Sequence, residues 1–403
     1  MKKEGASSSP GGRGATNGRS VGVTRDVTRS VPPRLQAMLW GKAAGRCEFA
    51  GCSKPLWKSS VTQEQVNIGQ KAHIYSFSNV GPRGNDGMSD DEINSLDNLM
   101  LVCHECHQTI DRRKDGGRYT SAVLQRMKAE HEQRMERVTA VGADKKSHIL
   151  LYGANVGDHS SPLSYQEAAP ALFPDRYPAE DKPIELTTVN SSFSDRDAGF
   201  WTIEGESLQR KFKERVKVRL AAGDIEHLSV FAMAPQPLLI LLGTLLGDIV
   251  PAQVYQRHRE PATWKWPATA LPPEFEVREP TTPSGPPALV LALSATVTTD
   301  RITSVVGPEV SSWIVTVPTP HNDSMKSHEQ LSSLRTLLRR LLDKIKAAHG
   351  QATPLHVFPV GSVSAAIEFG RIRMPKADMP WRIYDQVNAC GGFVSALSIP
   401  NGA

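Results

Sequence analysis

A small α+β domain built around a metal site, followed by a larger α/β domain in two similar halves, is the architecture that the sequence predicts. Three observations carry it. Four of the five cysteines, Cys47, Cys52, Cys103 and Cys106, form two knuckle pairs of the Cys-x4-Cys and Cys-x2-Cys kind within about 60 residues. Beyond residue 147 the texture changes to short apolar runs that alternate with longer amphipathic segments. A chain of 403 residues and 44.0 kDa also exceeds what one hydrophobic core usually holds. With 39% apolar and 22% charged residues the chain is ordinary globular material, which excludes collagen-like, coiled-coil and wholly disordered classes.

The elements follow in order. Residues 1–31 are rich in Gly, Ser and Arg without apolar periodicity and are expected to form a flexible arm. The first domain then spans 32–140. A helix is expected over 33–44, where Leu35, Met38 and Leu39 share a face, and a strand over 62–76. The Gly- and Asp-rich run 79–91 reads as a loop, 99–102 as a second strand, and helices follow from Cys103 and over 121–137.

The second domain is expected over 145–403. Strands are predicted at 148–152 and 227–232, with an apolar, proline-initiated helix after the second. A similar set recurs at 288–294, 312–317 and 355–358, where Leu331, Leu334, Leu338, Leu341, Leu342 and Ile345 trace a helical stripe that ends near Gly350. The halves are placed at about 147–256 and 288–403. The eight prolines in 257–287 make that segment a semi-rigid connector.

Charge and chemistry point to a polyanion. Residues 1–140 carry 21 Lys and Arg against 15 Asp and Glu, so the net charge of +5 is concentrated there. A basic segment beside a metal cluster suits nucleic acid, since phosphate neutralisation supplies most non-specific affinity; a solvated basic surface explains the charge equally well. Four thiolates suit a closed, tetrahedral structural zinc. Cys390 stands alone, and so few cysteines argue for a metal in a reducing cytoplasm rather than a disulfide scaffold. The longest dense apolar stretch, 238–246, is about half a bilayer span, so a soluble protein without membrane segments is expected. The aromatic and basic run VYQRHREPATWKWP at 254–267 holds Tyr255, Arg257, His258, Arg259, Trp264, Lys265 and Trp266, residue types on which bases stack and phosphates dock; packing inside the connector is the alternative.

Within the knuckle frame, AHI at 72–74, SLDNLMLVC at 95–103 and CHECHQTID at 103–111 resemble the HNH nucleases, whose core is a ββα-metal fold. The resemblance covers about residues 35–137. It implies His73 as general base, Asn98 as the amide that pins the loop and aims His73, and His107 as ligand of a catalytic divalent ion, Mg²⁺ by default. Phosphodiester hydrolysis needs these parts: a base for water, a cation for the charge that grows on oxygen, and a rigid frame. Many family members carry Asp or His before the catalytic His as a second metal ligand, whereas this chain has Ala72. His104, Asp97, Asp111, water or a DNA phosphate could take that place.

In the second domain the run at 254–267 and LHVFPVGSVSAAIEFGRIRMPKADMPWRIYDQ at 355–386 resemble the SAVED domain, two fused Rossmann-like halves similar to CARF sensors. An HNH nuclease followed by SAVED resembles the effector of cyclic-oligonucleotide-based anti-phage signalling (CBASS). The resemblance implies a cyclic di- or trinucleotide, made by a partner CD-NTase, that binds between the halves and switches on cleavage of double-stranded DNA by a homo-oligomer. Ligands of Rossmann-like halves lie beyond the carboxyl ends of the strands, so Tyr152, Ala234, Ser294, Pro318 and Pro359 are expected at the rim, with Ser362 offering its hydroxyl to a phosphate and Arg257, Trp264, Lys265 and Trp266 nearby. The rival readings are a zinc-stabilised DNA-binding regulator that does not cut, and a restriction nuclease for modified DNA.

Overall fold

A computed structural model describes residues 31–78, 81–85, 87–112, 117–156, 163–187, 195–197, 199–267, 275–387 and 392–402. Nearly all of the expected N-terminal arm, and Cys390, lie outside the described residues. The chain divides into two compact units, Met1–Thr139 and Ala140–Ala403.

The smaller unit runs α1 (Pro33–Lys42), β1 (Gly69–His73), α2 (Asp90–Ile93), β2 (Leu99–Cys103), α3 (His104–Ile110) and α4 (Ser121–Thr139). Val31, placed in the arm by sequence, is instead buried in the core, and the Gln36 side chain donates to its carbonyl at 2.6 Å. The strands form an antiparallel pair with Gly69 opposite Cys103 and His73 opposite Leu99. The strand expected over 62–76 is thus much shorter. The Ser59 hydroxyl accepts the N–H groups of Val61 and Thr62, and Gln63 takes φ +61°, so the chain turns back on itself with Lys58 bridged to Gln65 before β1 begins. All five residues of β2 are buried, and with Leu39, Leu56, Ile74 and Leu124 they make the core that holds both strands rigid.

The larger unit runs β3 (Lys146–Gly153), α5 (Tyr165–Ala168), β4 (Tyr177–Pro178), β5 (Ile184–Glu185), α6 (Phe200–Phe212), α7 (Val218–Ala221), β6 (Leu228–Met233), α8 (Gln236–Leu246) and β7 (Ala252–Val254) through its first half. The second half is β8 (Glu276–Arg278), β9 (Pro287–Ala292), α9 (Thr299–Val306), β10 (Ser311–Thr316), α10 (His328–His349), β11 (Leu355–Val360), α11 (Val363–Arg371), β12 (Trp381–Val387) and β13 (Gly392–Ile399). One parallel sheet has the order β4-β3-β6-β7, with β5 also on β3; the other has the order β13-β12-β11-β9-β10-β8. Their central strands are buried on both faces, which is why they read as unbroken apolar runs.

Two elements depart from expectation. The connector contributes β8, an antiparallel edge strand on β10, a position that tolerates its flanking prolines. The antiparallel β12–β13 pair closes the other edge; its alternation is broken by a register shift at Ile383/Tyr384, which obscures the period-two signal.

The halves share one continuous core. In each, a central strand passes through two residues into a helix, β6 into α8 and β11 into α11, and these helices cross with backbone against backbone. Gly243 and Gly370, each the eighth residue of its helix, make that crossing possible. A Cβ on Gly243 would lie 2.1 Å from the Ile367 carbonyl oxygen, and one on Gly370 would lie 2.1 Å from that of Ile240. Arg371 locks the joint: its guanidinium donates to the carbonyls of Gly247, Ala252 and Val250 at 3.0–3.1 Å and to Glu368 at 2.9 Å. Gly243→Ala or Gly370→Ala is expected to lower the melting temperature of this unit by an overpacking cost of at least about 1–3 kcal/mol. Gly205→Ala, whose methyl would meet only side-chain carbons at 3.5 and 3.6 Å, serves as the neutral control; equal melting temperatures for all three variants would refute the crossing.

Candidate active site and metal centre

The knuckles converge from four places. Cys47 and Cys52 flank a turn held by Cys52 N–H to the Phe49 carbonyl at 3.0 Å, with Gly51 and Ser53 both at positive φ. Cys103 ends β2 and Cys106 lies in the first turn of α3. The four Sγ atoms lie within 4.8 Å of one another, and Cys52 and Cys103 are 3.9 Å apart. That separation is far beyond a disulfide bond at about 2.05 Å but matches the edge, about 3.8 Å, of a tetrahedron with Zn–S bonds near 2.3 Å. Burial pushes the Cys47 thiol up to about 12 and raises that of Cys106, with the neighbouring sulphurs adding to both. Four thiolates so close repel one another, and a dication in their midst reverses the sign of that interaction. The donor set fits structural zinc.

Behind the knuckles stands a charge that sequence reasoning passed over. Glu48 is buried, accepts the Leu101 N–H, and lies 3.8 Å from the Lys128 ammonium of α4. Burial nonetheless raises its carboxyl to about 7. The pair ties the first knuckle to β2 and α4; a lone Glu in sequence gives no sign of this.

His73 ends β1. Beyond it, Ile74 N–H donates to the Asn98 backbone carbonyl at 2.8 Å, and Tyr75 N–H to Asn98 Oδ1 at 2.6 Å. Asn98 Nδ2 donates to the carbonyls of Tyr75 at 3.2 Å and Ile93 at 2.9 Å, so this buried amide clamps the chain directly after His73. His73 Nε2 lies 3.3 Å from Asn94 Oδ1, whose own amide is anchored on the Asp90 carbonyl. With Nε2 as donor to that oxygen, Nδ1 carries the lone pair.

His107 projects from α3. Gln70 Oε1 accepts from His107 Nδ1 at 2.5 Å, while Gln70 Nε2 donates to His104 Nδ1 at 3.0 Å. One amide on β1 therefore sets the His107 tautomer and leaves Nε2 as a free electron pair, 3.5 Å from Asp111 Oδ2 one helical turn on. Asp111 Oδ1 is held at 2.9 Å by Arg83.

Arg83 is the residue that sequence reasoning missed most plainly. Its side chain, 7% exposed, donates to the carbonyls of Ile74, Ile110 and His73 at 2.5, 2.9 and 3.0 Å as well as to Asp111. It thereby joins the end of β1 to the end of α3. An arginine inside a Gly-rich loop has no spacing signal that would reveal such a role.

His73, His107, Asp111, Arg83 and Lys71 line one cavity of about 390 Å³. Lys71 and His73 alternate with Ala72, which is 1% exposed and points into the core. The position that carries a metal ligand in many HNH nucleases thus holds a buried methyl here. Of the alternatives, Asp97 and His104 lie outside this cavity and Asp111 lies in it.

The larger unit treats its expected ligand residues unevenly. Tyr152, 1% exposed, is enclosed among apolar side chains, with no hydrogen-bond partner for its hydroxyl among the described residues and its ionisation pushed up by burial. Trp264, 2% exposed, packs edge-on against Phe231 with Arg257 over its other side at 5.6 Å. Neither is a rim residue, because each fills the space behind the strands. Pro359 is likewise buried within β11, opposite Leu291. The Ser362 hydroxyl caps α11 by accepting Ala365 N–H, so its side chain is committed to the helix. Trp266 is half-buried against His328 at 4.7 Å and His258 at 5.3 Å; Arg257 and Ser294 are also half-buried, and Lys265 is exposed. Ala234 is buried and Pro318 exposed, each just after a strand.

Comparison with known proteins agrees with this division. A family model described as HNH endonuclease matches residues 47–114, and one described as the SMODS-associated and fused to various effectors sensor domain, SAVED, matches residues 208–399. No curated protein matches. Among solved structures, the Acinetobacter baumannii Cap4 SAVED/CARF-domain containing receptor with the cyclic trinucleotide 2'3'3'-cAAA is 11% identical, with a TM-score of 0.43 over 69% of this chain and 56% of that one. The Moraxella osloensis Cap4 SAVED/CARF-domain containing receptor is also 11% identical, with a TM-score of 0.39 over 70% of this chain and 60% of that one. This chain therefore spans less than two thirds of either receptor. Among the described residues, no helix is long and apolar enough to cross a membrane.

For the thiol cluster the expected composition is one tightly held zinc per chain. Cys103→Ser is expected to lose the metal and, with it, soluble folded protein, because structural zinc contributes folding free energy directly. Elemental analysis that finds no zinc, together with an unchanged melting temperature in a strong chelator, would refute it.

Proposed function

We propose that this chain, which joins an HNH endonuclease domain to a SAVED sensor domain, is a cyclic-oligonucleotide-activated, metal-dependent DNA endonuclease acting in anti-phage defence of the CBASS type. The observation that carries the reading is the single cavity faced by His73, His107, Asp111, Arg83 and Lys71.

In this reading His73 Nδ1 accepts the proton of the attacking water, while Asn94 holds the ring and Asn98 the backbone directly after it. His107 Nε2 and Asp111 Oδ2 would hold the divalent ion, Mg²⁺ by default, with water or phosphate oxygens completing its shell. When bound there, the ion supplies charge stabilisation to the phosphoryl and leaving oxygens. Arg83 keeps Asp111 turned so that one carboxylate oxygen stays available, and Lys71 places positive charge along the strand that ends in His73. His73→Ala is expected to abolish cutting, a loss of roughly 10²- to 10⁴-fold, while DNA binding persists. His107→Ala is expected to be inactive but partly restored by raised Mn²⁺ or Mg²⁺. Wild-type cutting by His73→Ala would remove it from the mechanism, and duplex DNA that is bound but never cut by the parent chain would favour a regulator instead.

The activator is a cyclic di- or trinucleotide from a CD-NTase, bound beyond the carboxyl ends of the strands of both halves. Trp266, Arg257, Lys265 and Ser294 are the side chains open to it. Activation proceeds through a change in the assembly of chains, which also brings two nuclease domains to the two strands of a duplex. Trp266→Ala is expected to weaken the response to ligand by roughly 1–3 kcal/mol, the usual worth of a base-stacking ring, and to recover full cutting at saturation. A panel of cyclic nucleotides in a plasmid assay identifies the ligand. Superimposable scattering profiles with and without the activating compound would refute the change of assembly, and cutting confined to modified DNA without any small ligand would favour a restriction nuclease.

A further inference from the structure

We propose that a second cavity, adjoining the cleft of His73, is a phosphate-binding subsite for the DNA strand that runs through that cleft; this inference rests on the nuclease reading above. The cavity measures about 550 Å³ and shares Gly81, Pro82 and Arg83 with the cleft as a common wall. Its far side is formed by Arg112, Arg118 and Tyr119. That volume is within the range of about 300–1,000 Å³ typical of ligand sites.

Its chemistry is one-sided. Arg112 and Arg118 are exposed, and among the described residues neither makes an ion pair. No carboxylate lines this cavity among the described residues; Asp111, one position before Arg112, lines the other cavity and is held by Arg83. The Arg118 guanidinium lies 5.6 Å from the Tyr119 ring, which in turn packs against Phe49 at 5.5 Å. A guanidinium seated over a ring keeps its N–H edge free, and that planar fork matches phosphate.

Location decides which anion is meant. A DNA duplex carries one phosphate per about 1.7 Å of axis, so a strand with its scissile phosphate at His73 must lay neighbouring phosphates along the adjoining surface. The subsite is the cationic hollow placed there, reached across the short wall of Gly81 to Arg83. Such contacts hold register without reading sequence, as a nuclease of broad substrate range requires.

The test uses the full chain in the His73→Ala background, with a labelled duplex of about two turns and a dinucleoside monophosphate as probes, each with and without the cyclic-nucleotide panel. Arg112→Ala and Arg118→Ala together are expected to flatten the slope of log K against log salt by about 2 between roughly 50 and 200 mM, about 0.9 for each phosphate that is no longer neutralised. Binding of the dinucleoside monophosphate, whose one phosphate cannot occupy the cleft and the subsite together, is expected to be unchanged. An unchanged slope on the duplex, in a chain whose wild-type form binds and cuts it, overturns the subsite alone. A parent chain that neither binds nor cuts DNA overturns the nuclease reading and the subsite with it. Equal weakening on both probes would mark the arginines as general surface charge and also overturn the proposal.

Discussion

The convergence of four buried sulphurs on one point, a donor set that a single cation completes, is the constraint on which the smaller unit depends. Cys47 and Cys52 lie on a turn without secondary structure, while Cys103 and Cys106 sit where β2 becomes α3. A unit of this size buries a modest apolar core, and without a cation the buried thiols, within 4.8 Å of one another, would stay protonated and leave the junction without the bonds that a metal supplies. A zinc there fixes the angle at which α3 leaves β2. Because His107 follows Cys106 directly, the same metal fixes the direction of the imidazole. In the proposed mechanism the structural and catalytic roles are thus one residue apart, and the first is the physical basis of the second.

What zinc does for α3, two side chains do for the end of β1. Asn98 holds the backbone of Tyr75 from both sides, and Arg83 holds the carbonyls of His73 and Ile74. Each replaces strand hydrogen bonds that end where the ladder ends at His73. Arg83 also reaches the last carbonyl of α3 and Asp111, so the proposed base and the proposed metal ligands are referred to one guanidinium. A rigid frame of this kind lets a general base work with its partner fixed at hydrogen-bond distance.

How legible was this beforehand? The cysteine pairs, and the positions of the two short strands and of α3, were plain, because metal spacing and apolar runs are local signals. His73, Asn98 and His107 could be nominated only as a joint pattern. Arg83, Gln70 and Glu48 could not be nominated at all, since their roles depend on partners that lie 9 to 80 residues away in sequence. In the larger unit the central strands and α8 and α10 were readable for the same local reasons. Tyr152 turns inward, because strand-end position in sequence does not say which face a side chain takes; Trp264, nominated from the aromatic and basic run, is buried, as the alternative of packing within that segment has it. Gly243 and Gly370 passed unremarked; glycine signals permission for close approach, and only the fold shows what approaches.

That close approach bears on regulation. For a ligand to move a unit from 1:99 to 99:1 in favour of an active state, it must prefer that state by about 5.5 kcal/mol. Sliding one half against the other is a poor source of that energy here. The α8–α11 joint is backbone on backbone, locked by Arg371, and sits in a core continuous through both halves, so displacement would expose apolar surface and break three side-chain hydrogen bonds at once. A single stacking ring supplies roughly 1–3 kcal/mol. The remainder has to come from many contacts that form together, and a larger unit that keeps its own core intact can gain them only on its outer surface. If the larger unit is switched by a ligand as proposed, rigidity at the glycine joint therefore argues that the signal leaves through contacts between chains rather than through rearrangement within one.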